Sequence, residues 1–357
     1  MTTTIIAEAG VNHNGSLELA KRLVDAAAEA GADAVKFQTF KADQLVTREA
    51  AKAAYQTRTT GEAGSQLEML KALELDEAAH EVLVAHCRTV GIQFLSSPFD
   101  LESLGFLTDR LQLPRLKLAS GEITNAPLLL AAARSGRPVI LSTGMSTLSD
   151  VETALGILAF GYTHDGPPAS MAATQEAFAS SEGRSALEDK VVLLHCTSEY
   201  PAPFSEVNLR AMETLAAAFG LPVGYSDHTP GIAIPIAAAA RGAVVVEKHF
   251  TIDRSLPGPD HPASLEPAEL TAMVRAIRQV EEALGSPTKG PTPAELRNRD
   301  VARKSLVTSR AIRRGELFTP ENLTIKRPGT GLSATLYWDW LGRAATRDYP
   351  PDALVEP

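Results

Sequence analysis

Val244-Val-Val-Glu-Lys-His-Phe-Thr251 opens as an unbroken run of valine and then turns polar within three residues. A continuous β-branched run suits a strand buried on both faces, as in a parallel sheet covered by helices. Its abrupt polar end marks where such a strand leaves the core. Working outward, Gly224-Tyr-Ser-Asp-His-Thr-Pro-Gly231 repeats the pattern, and six more runs precede it: Thr4 to Ala9, Ala34 to Thr39, Gln93 to Ser97, Arg115 to Ser120, Pro138 to Thr143 and Val191 to Thr197. Pro222 to Ser226 and Val244 to Phe250 complete the set. Ala/Leu/Glu-rich segments lie between them. In Ser16 to Ala30, Leu19, Leu23 and Ala26/Ala27 recur at helical spacing behind the capping-type residues Asn14 and Ser16, and Gly31 follows the end. Strand and helix alternating in this way about eight times predicts an α/β fold of the (β/α)8 TIM-barrel type. An open doubly wound sheet is disfavoured, because no Gly-x-Gly-x-x-Gly follows a strand.

In such a barrel the ends of all strands converge on one rim, where active sites are built. Those ends carry Glu8, then Lys36 and Gln38, Ser97, then Lys117, Ser120 and Glu122, Ser142 and Thr143, then Thr197, Ser198 and Tyr200, Ser226 and His228, and finally Glu247 and His249. Residues two apart on a strand share a face. Lys36 with Gln38, Ser226 with His228, and Glu247 with His249 are therefore expected to point the same way. His228 and His249, on neighbouring strands, read as two ligands of an open divalent-metal site; hydrogen-bonded structural histidines are the competing reading. Lys36 and Lys117, set among Val35, Phe37, Leu116 and Leu118, need an anion to offset their burial. Either a salt bridge to Glu8 or Glu122 supplies it, or an anionic substrate held also by the hydroxyls of Ser97, Ser120, Ser142 and Ser226.

Composition excludes several classes. At 357 residues, 44% hydrophobic and 22% charged, the chain is long enough for one large domain and a small one. A net charge of −9 is the wrong sign for a general nucleic-acid binder. No apolar run reaches the roughly 18 residues of a membrane span, and the first residues lack the charge and apolar pattern of a secretory signal. A soluble, cytoplasmic protein is expected. Cys87 and Cys196 are the only cysteines, too few for a disulfide framework, and suit free thiols in a reducing compartment.

Residues 1–285 are assigned to the barrel, 286–300 to a linker rich in proline, and 301–357 to a small module that leans on a partner surface for part of its stability. Within that module Lys326-Arg-Pro-Gly-Thr-Gly331 is a shaped loop suited to presenting Arg327 to a polar or anionic group. Tyr162 to Asp189, rich in Ala, Ser, Gly and Pro, precedes the sixth strand and is expected to be a surface loop insertion on the face away from the chemistry.

Ile6-Ala-Glu-Ala-Gly-Val-Asn-His-Asn-Gly15, Val35-Lys-Phe-Gln38, Lys117-Leu-Ala-Ser-Gly-Glu122, Leu141-Ser-Thr-Gly-Met145, His195-Cys-Thr-Ser-Glu-Tyr-Pro201, Tyr225-Ser-Asp-His-Thr229, Glu247-Lys-His-Phe-Thr251 and Pro257-Gly-Pro-Asp260 together resemble the bacterial sialic acid synthases over nearly the whole chain. The tail is similar to their antifreeze-like, or SAF, domain. The resemblance implies metal-dependent condensation of phosphoenolpyruvate with an open-chain N-acylated mannosamine, giving a nine-carbon 2-keto acid and phosphate. It implies that His228 and His249 hold Mn²⁺, with Mg²⁺ or Co²⁺ as alternatives, and that Lys36, Lys117, Ser97, Ser120, Ser142 and Ser226 hold phosphoenolpyruvate. Glu8, Gln38, Glu122, Ser198, Tyr200, Asp260 and Arg327 then fall to the sugar and the proton transfers, with Glu122 and Glu8 the carboxylates that act in catalysis. It further implies a domain-swapped homodimer in which Arg327 reaches the sugar's acyl group in trans. Ser198 stands where several of these enzymes carry Asn, and Ser97 where some carry Thr; both keep a hydrogen-bonding group.

N-acetylmannosamine, giving N-acetylneuraminate, is the first expectation for the acceptor. A 2,4-diacetamido-2,4,6-trideoxymannose leading to legionaminic acid is the alternative, ahead of pseudaminic acid synthesis. Two further classes compete: a metal-dependent sugar-phosphate aldolase or isomerase, which leaves the tail without a role, and a non-catalytic carbohydrate-binding protein, which leaves the polar strand ends without one.

Overall fold

The β-branched runs form parallel strands in the computed structural model, which describes residues 2–61 and 63–357. They are β1 Thr4–Gly10, β2 Ala34–Thr39, β3 Gln93–Pro98, β4 Leu116–Leu118, β5 Val139–Ser142, β6 Val191–Cys196, β7 Val223–Asp227 and β8 Val245–His249. Their ladders run in the order β3-β2-β1-β8-β7-β6-β5-β4, so the sheet curls into a nearly closed barrel whose unlaced seam lies between β3 and β4. The expected TIM-barrel class holds. The fourth strand is shorter than its sequence suggests. It ends at Leu118, and Ser120–Glu122 form a 3-10 turn, with Glu122 N–H donating to Ala119 and Ile123 N–H to Ser120.

Inside the barrel, strand periodicity stacks two layers of opposite character. Ile6, Ala34, Leu95, Ile140, Leu194 and Val245 form an apolar layer. Two residues further along the same strands stand Glu8, Lys36, Ser97, Ser142, Cys196 and Glu247. A step of two keeps the face and moves the side chain toward the rim. The lower layer therefore seals the core and the upper one begins the site. Outside, helices complete the main core. The helix Leu17–Glu29 begins with Ser16 accepting from Leu19 N–H and buries Ala20, Leu23, Val24 and Ala27. Gly31, at φ +79°, supplies the left-handed residue that ends it.

The stretch 162–189 differs from expectation. It is no irregular loop: after the long helix Leu148–Thr163 the chain forms the helices Met171–Ala179 and Ser181–Lys190, burying Thr174, Ala177 and Leu187. Its composition misled because alanine serves tight helix packing as well as it serves loops. Gly156 and Gly183 allow that packing, since a Cβ at Gly183 would fall 1.9 Å from the Ala177 carbonyl oxygen and one at Gly156 would fall 3.0 Å from that of Thr174. The segment leads into the start of β6, on the barrel end opposite the strand termini.

The chain divides into two units, Met1–Gly285 and Ser286–Pro357. The segment expected as linker is in part a helix, Pro293–Ala302, because Thr292 and Glu295 form a capping box and Pro293 suits the first turn. The second unit pairs β9 Ser305–Thr308 antiparallel to β10 Leu323–Lys326 and has its own core of Leu306, Ile312, Phe318, Leu323, Trp340 and Tyr349. Among the described residues no helix is long and apolar enough to cross a membrane. Cys87 and Cys196 are buried free thiols.

Candidate active site

A cavity of about 440 Å³ opens at the strand ends. Its floor gathers Glu8, Lys36, Gln38, Ser97, Lys117, Ser120, Glu122 and Ser142 from the first five strands and their turns. Ser198, Tyr200, Ser226, His228, His249 and Asp260 close the circle. Arg327 lies in the second unit, exposed, with its Nε donating to the Ala302 carbonyl oxygen at 3.0 Å.

The two lysines are almost fully buried, and carboxylates offset them. Lys36 Nζ lies 2.7 Å from Glu8 Oε2 and donates to Ser97 Oγ at 3.2 Å. Lys117 does not pair with Glu122, the partner its sequence position suggests; its Nζ lies 3.3 Å from Glu247 Oε1, and Lys36 is 3.7 Å from the other oxygen of that carboxylate. Glu122 is turned away by the 3-10 segment and accepts instead from Asn125 Nδ2 at 2.7 Å. Glu247, absent from the residues assigned to substrate, thus sits at the centre of the floor. Its spacing from His249 gave the signal, since two residues apart on β8 share a face.

The electrostatics separate the two central carboxylates. Burial raises the Glu247 carboxyl, but Lys117, Lys36 and the hydroxyl of Ser226, which donates at 2.9 Å, outweigh it and hold the group at about 2. Glu8, with burial dominant and Glu247 nearby, is raised to about 7. Burial, opposed by Lys36, lifts Asp260 to about 6, and burial with the nearby charge of Asp100 raises Glu122. Burial also lowers the Lys117 ammonium, so the floor holds two buried lysines whose charge Glu8 and Glu247 offset. Ser142 Oγ is buried with no hydrogen-bond partner. An unmet hydroxyl donor on the same cavity floor as two buried lysines is the local chemistry of an anion site.

Gly10 keeps the floor open. At φ +52° it follows a register slip between β1 and β2 at Glu8, and a Cβ there would lie 3.2 Å from Glu8 Oε1, 3.4 Å from Gln38 Nε2 and 3.5 Å from His249 Cε1. On the opposite side Gly144 N–H donates to Ser120 Oγ, which also lies 3.0 Å from Cys196 Sγ. A side chain at Gly144 would collide with Ser198 Oγ at 2.4 Å.

His228 and His249 lie 5.4 Å apart between ring centroids with their planes at 60°, and Tyr200 lies 4.1 Å from His228, tilted by 34°. Burial holds both imidazoles neutral, His228 at about 4 and His249 well below its ordinary value. His228 Nδ1 lies 2.6 Å from the Thr197 carbonyl oxygen, which can only accept. The ring proton is therefore on Nδ1 and the Nε2 lone pair is free, the tautomer that a ligating histidine adopts. His249 Nδ1 is buried without a hydrogen-bond partner, 3.7 Å from Asp260 Oδ2. These donors fit a divalent ion. Among the described residues no cluster of three His, Cys, Asp or Glu suited to a metal occurs, so a site built on this pair leaves most coordination positions for water and substrate.

Behind the pair, facing the helices, lies a network that sequence reading missed. Lys248 and Asp227 are fully buried and joined at 2.6 Å; Asp227 also accepts from Tyr225 OH at 3.0 Å and from Thr229 N–H at 3.1 Å. Each immediately precedes a histidine, and the two are register partners.

The chain matches the NeuB family over residues 23–289 and the SAF domain over residues 303–357. It is 48% identical over 353 residues to the N,N'-diacetyllegionaminic acid synthase of Campylobacter jejuni, covering 99% of this chain and 98% of that one. It is 49% identical over 333 residues to the enzyme of the same name from Legionella pneumophila, covering 93% and 87%. The crystal structure of an N-acetylneuraminic acid synthetase from Leptospira borgpetersenii superposes with a TM-score of 0.68 at 34% identity, covering 84% and 90%. With its barrel and its tail both accounted for, the chain belongs to the NeuB family and carries a C-terminal SAF domain.

Proposed function

We propose that this chain condenses phosphoenolpyruvate with open-chain 2,4-diacetamido-2,4,6-trideoxymannose, giving N,N'-diacetyllegionaminic acid and phosphate. One observation carries the chemistry: two buried ammonium groups, an unmet hydroxyl and an adjacent pair of neutral imidazoles share one cavity floor. The acceptor rests on the relatives. N-acetylmannosamine came first in the reading of the sequence, and the two legionaminic acid synthases, each matched over most of its length, favour the alternative.

Carbon 3 of phosphoenolpyruvate attacks the sugar aldehyde, forming the new carbon–carbon bond, while the aldehyde oxygen takes up a proton and becomes a hydroxyl. Water adds to the cationic carbon 2. The tetrahedral adduct then breaks its bond to the phosphate oxygen, so that one water enters and one phosphate leaves. Lys36 and Lys117 hold the phosphate and carboxylate charges in place, and fixed donors of this kind contribute on the order of 3 kcal/mol each. Glu8, near neutrality in its pKa, suits the uptake and release of the proton, with Glu122 as the second carboxyl able to do so. His228 and His249 would hold a divalent ion, Mn²⁺ by the family resemblance, which would supply Lewis-acid polarisation of a carbonyl oxygen. A cytoplasmic, domain-swapped homodimer in which Arg327 meets the acyl group belongs to the same reading.

Incubation of the purified protein with phosphoenolpyruvate, Mn²⁺ and the diacetamido sugar is expected to release phosphate and yield a product of the mass of the nine-carbon acid. Cleavage or isomerisation of a sugar phosphate, with no phosphate released from phosphoenolpyruvate, would establish the aldolase reading instead.

A further inference from the structure

The cavity has a second side that the chemistry above does not use. After β2 the chain makes three short helices, Ala42–Leu45, Ala54–Thr60 and Gln66–Leu73, before returning to the barrel. From them Leu45, Val46, Tyr55, Met69 and Leu70 line the cavity as half-buried side chains. Several pack on Val11, Phe40 and Phe99 in a hydrophobic cluster separate from the barrel core. The polar groups lining this wall are uncharged: the hydroxyl of Tyr55 and the amides of Gln56 and Gln66, the two amides hydrogen-bonded to each other at 3.3 Å.

Charge decides what such a wall accepts. Among the described residues that line the cavity the only lysines or arginines are Lys36 and Lys117, both on the floor, against Glu8, Glu122, Glu247 and Asp260. Phosphoenolpyruvate already engages both lysines. A second phosphate at this wall would meet carboxylates and leucines, and the one further cation of the proposed reading, Arg327 in trans, is engaged by the acyl group, so nothing offsets its desolvation. A hydroxyl pressed on Leu70 or Met69 would lose water without gaining a partner, whereas a methyl group would gain burial.

We propose, resting on the condensation reading above, that Leu45, Met69 and Leu70 are specificity-determining residues that select an acceptor whose far end is deoxygenated and uncharged. The reacting aldehyde belongs at the polar floor, so the opposite end of the open chain reaches this wall. Its terminal methyl and the acyl group nearest to it lie against the leucines, and a terminal hydroxyl is disfavoured. A terminal phosphate is rejected.

The test is a comparison of kcat/KM for three acceptors with phosphoenolpyruvate: the 6-deoxy diacetamido sugar, N-acetylmannosamine and its 6-phosphate. A single apolar contact discriminates by about 10- to 200-fold. The wild type is expected to prefer the 6-deoxy sugar by at least about 10-fold and to leave the phosphate unused. Leu70→Ser and Leu45→Ser, at half-buried positions and with folding checked by circular dichroism, are expected to shrink that preference several-fold while leaving the KM for phosphoenolpyruvate unchanged. Turnover of the 6-phosphate at a rate near that of the deoxy sugar would overturn the inference and leave the condensation reading intact. So would a preference unaltered in both serine variants. No phosphate released with any acceptor would overturn both.

Discussion

The floor of the cavity is carried by strand ends, and its wall by short helices inserted after one of them. Floor residues such as Glu8, Lys36, Ser97 and Ser226 are at most 3% exposed and are tied by ion pairs and hydrogen bonds to neighbours on adjacent strands. The wall is half-buried, and its charged contacts, Arg58–Glu199 and Lys71–Asp43, lie in solvent. Catalytic geometry here sits on the rigid part of the barrel, and selection of the acceptor sits on the part most easily repacked.

The contrast is broken most severely at the floor. Lys117→Met is expected to lower kcat/KM by about 10²- to 10³-fold in a phosphate-release assay. It also leaves Glu247 with Lys36 as its remaining cation, so that carboxyl titrates above its present value of about 2. Activity within tenfold of wild type would mean that Lys117 only neutralises Glu247. Gly10→Ala comes next. Its left-handed backbone disfavours a Cβ by roughly 1–2 kcal/mol, and the added methyl presses on Glu8, Gln38 and His249. Chemical denaturation is expected to show that loss together with a fall in kcat, and an unchanged kcat would indicate a floor softer than described.

A smaller effect follows from His228. Its imidazole stays neutral down to about 4 in the folded chain, against 6.5 when unfolded. Between those values only the unfolded state takes up the proton, so acidification through this window removes stability that is fully present above pH 6.5. Measured against His228→Asn without added metal, the wild type is expected to lose relative stability from pH 6.5 to 4. A difference that does not vary with pH would show that the ring is not held neutral by burial. The wall supplies the smallest effect. Arg58→Ala removes an ion pair whose side chains are 60% and 44% exposed and is expected to cost less than about 1 kcal/mol. A larger loss in thermal denaturation would make the wall as rigid as the floor.

The floor was legible in the sequence because an apolar run interrupted by Lys36 or closed by Glu247 and His249 has few physical explanations other than a site. Strand periodicity then fixed which residues share a face, and Ser226 with His228 and Lys36 with Gln38 do line the cavity together. The wall was not legible. Leu45, Met69 and Leu70 are apolar residues on short helices, and nothing local in the sequence reveals that they line a cavity. Partner choice was equally hidden: Lys117 meets Glu247 across β5, β6 and β7, a contact that depends on barrel closure rather than spacing. The 162–189 stretch failed for a compositional reason, because Ala, Ser and Gly serve close helix packing and loops alike.

Mn²⁺ binding to the wild type, His228→Ala and His249→Ala, followed by electron paramagnetic resonance with phosphoenolpyruvate present, tests the paired imidazoles most directly. The account predicts one ion per chain in the wild type, lost in both variants while circular dichroism shows the barrel intact. Equal binding in all three proteins would contradict it.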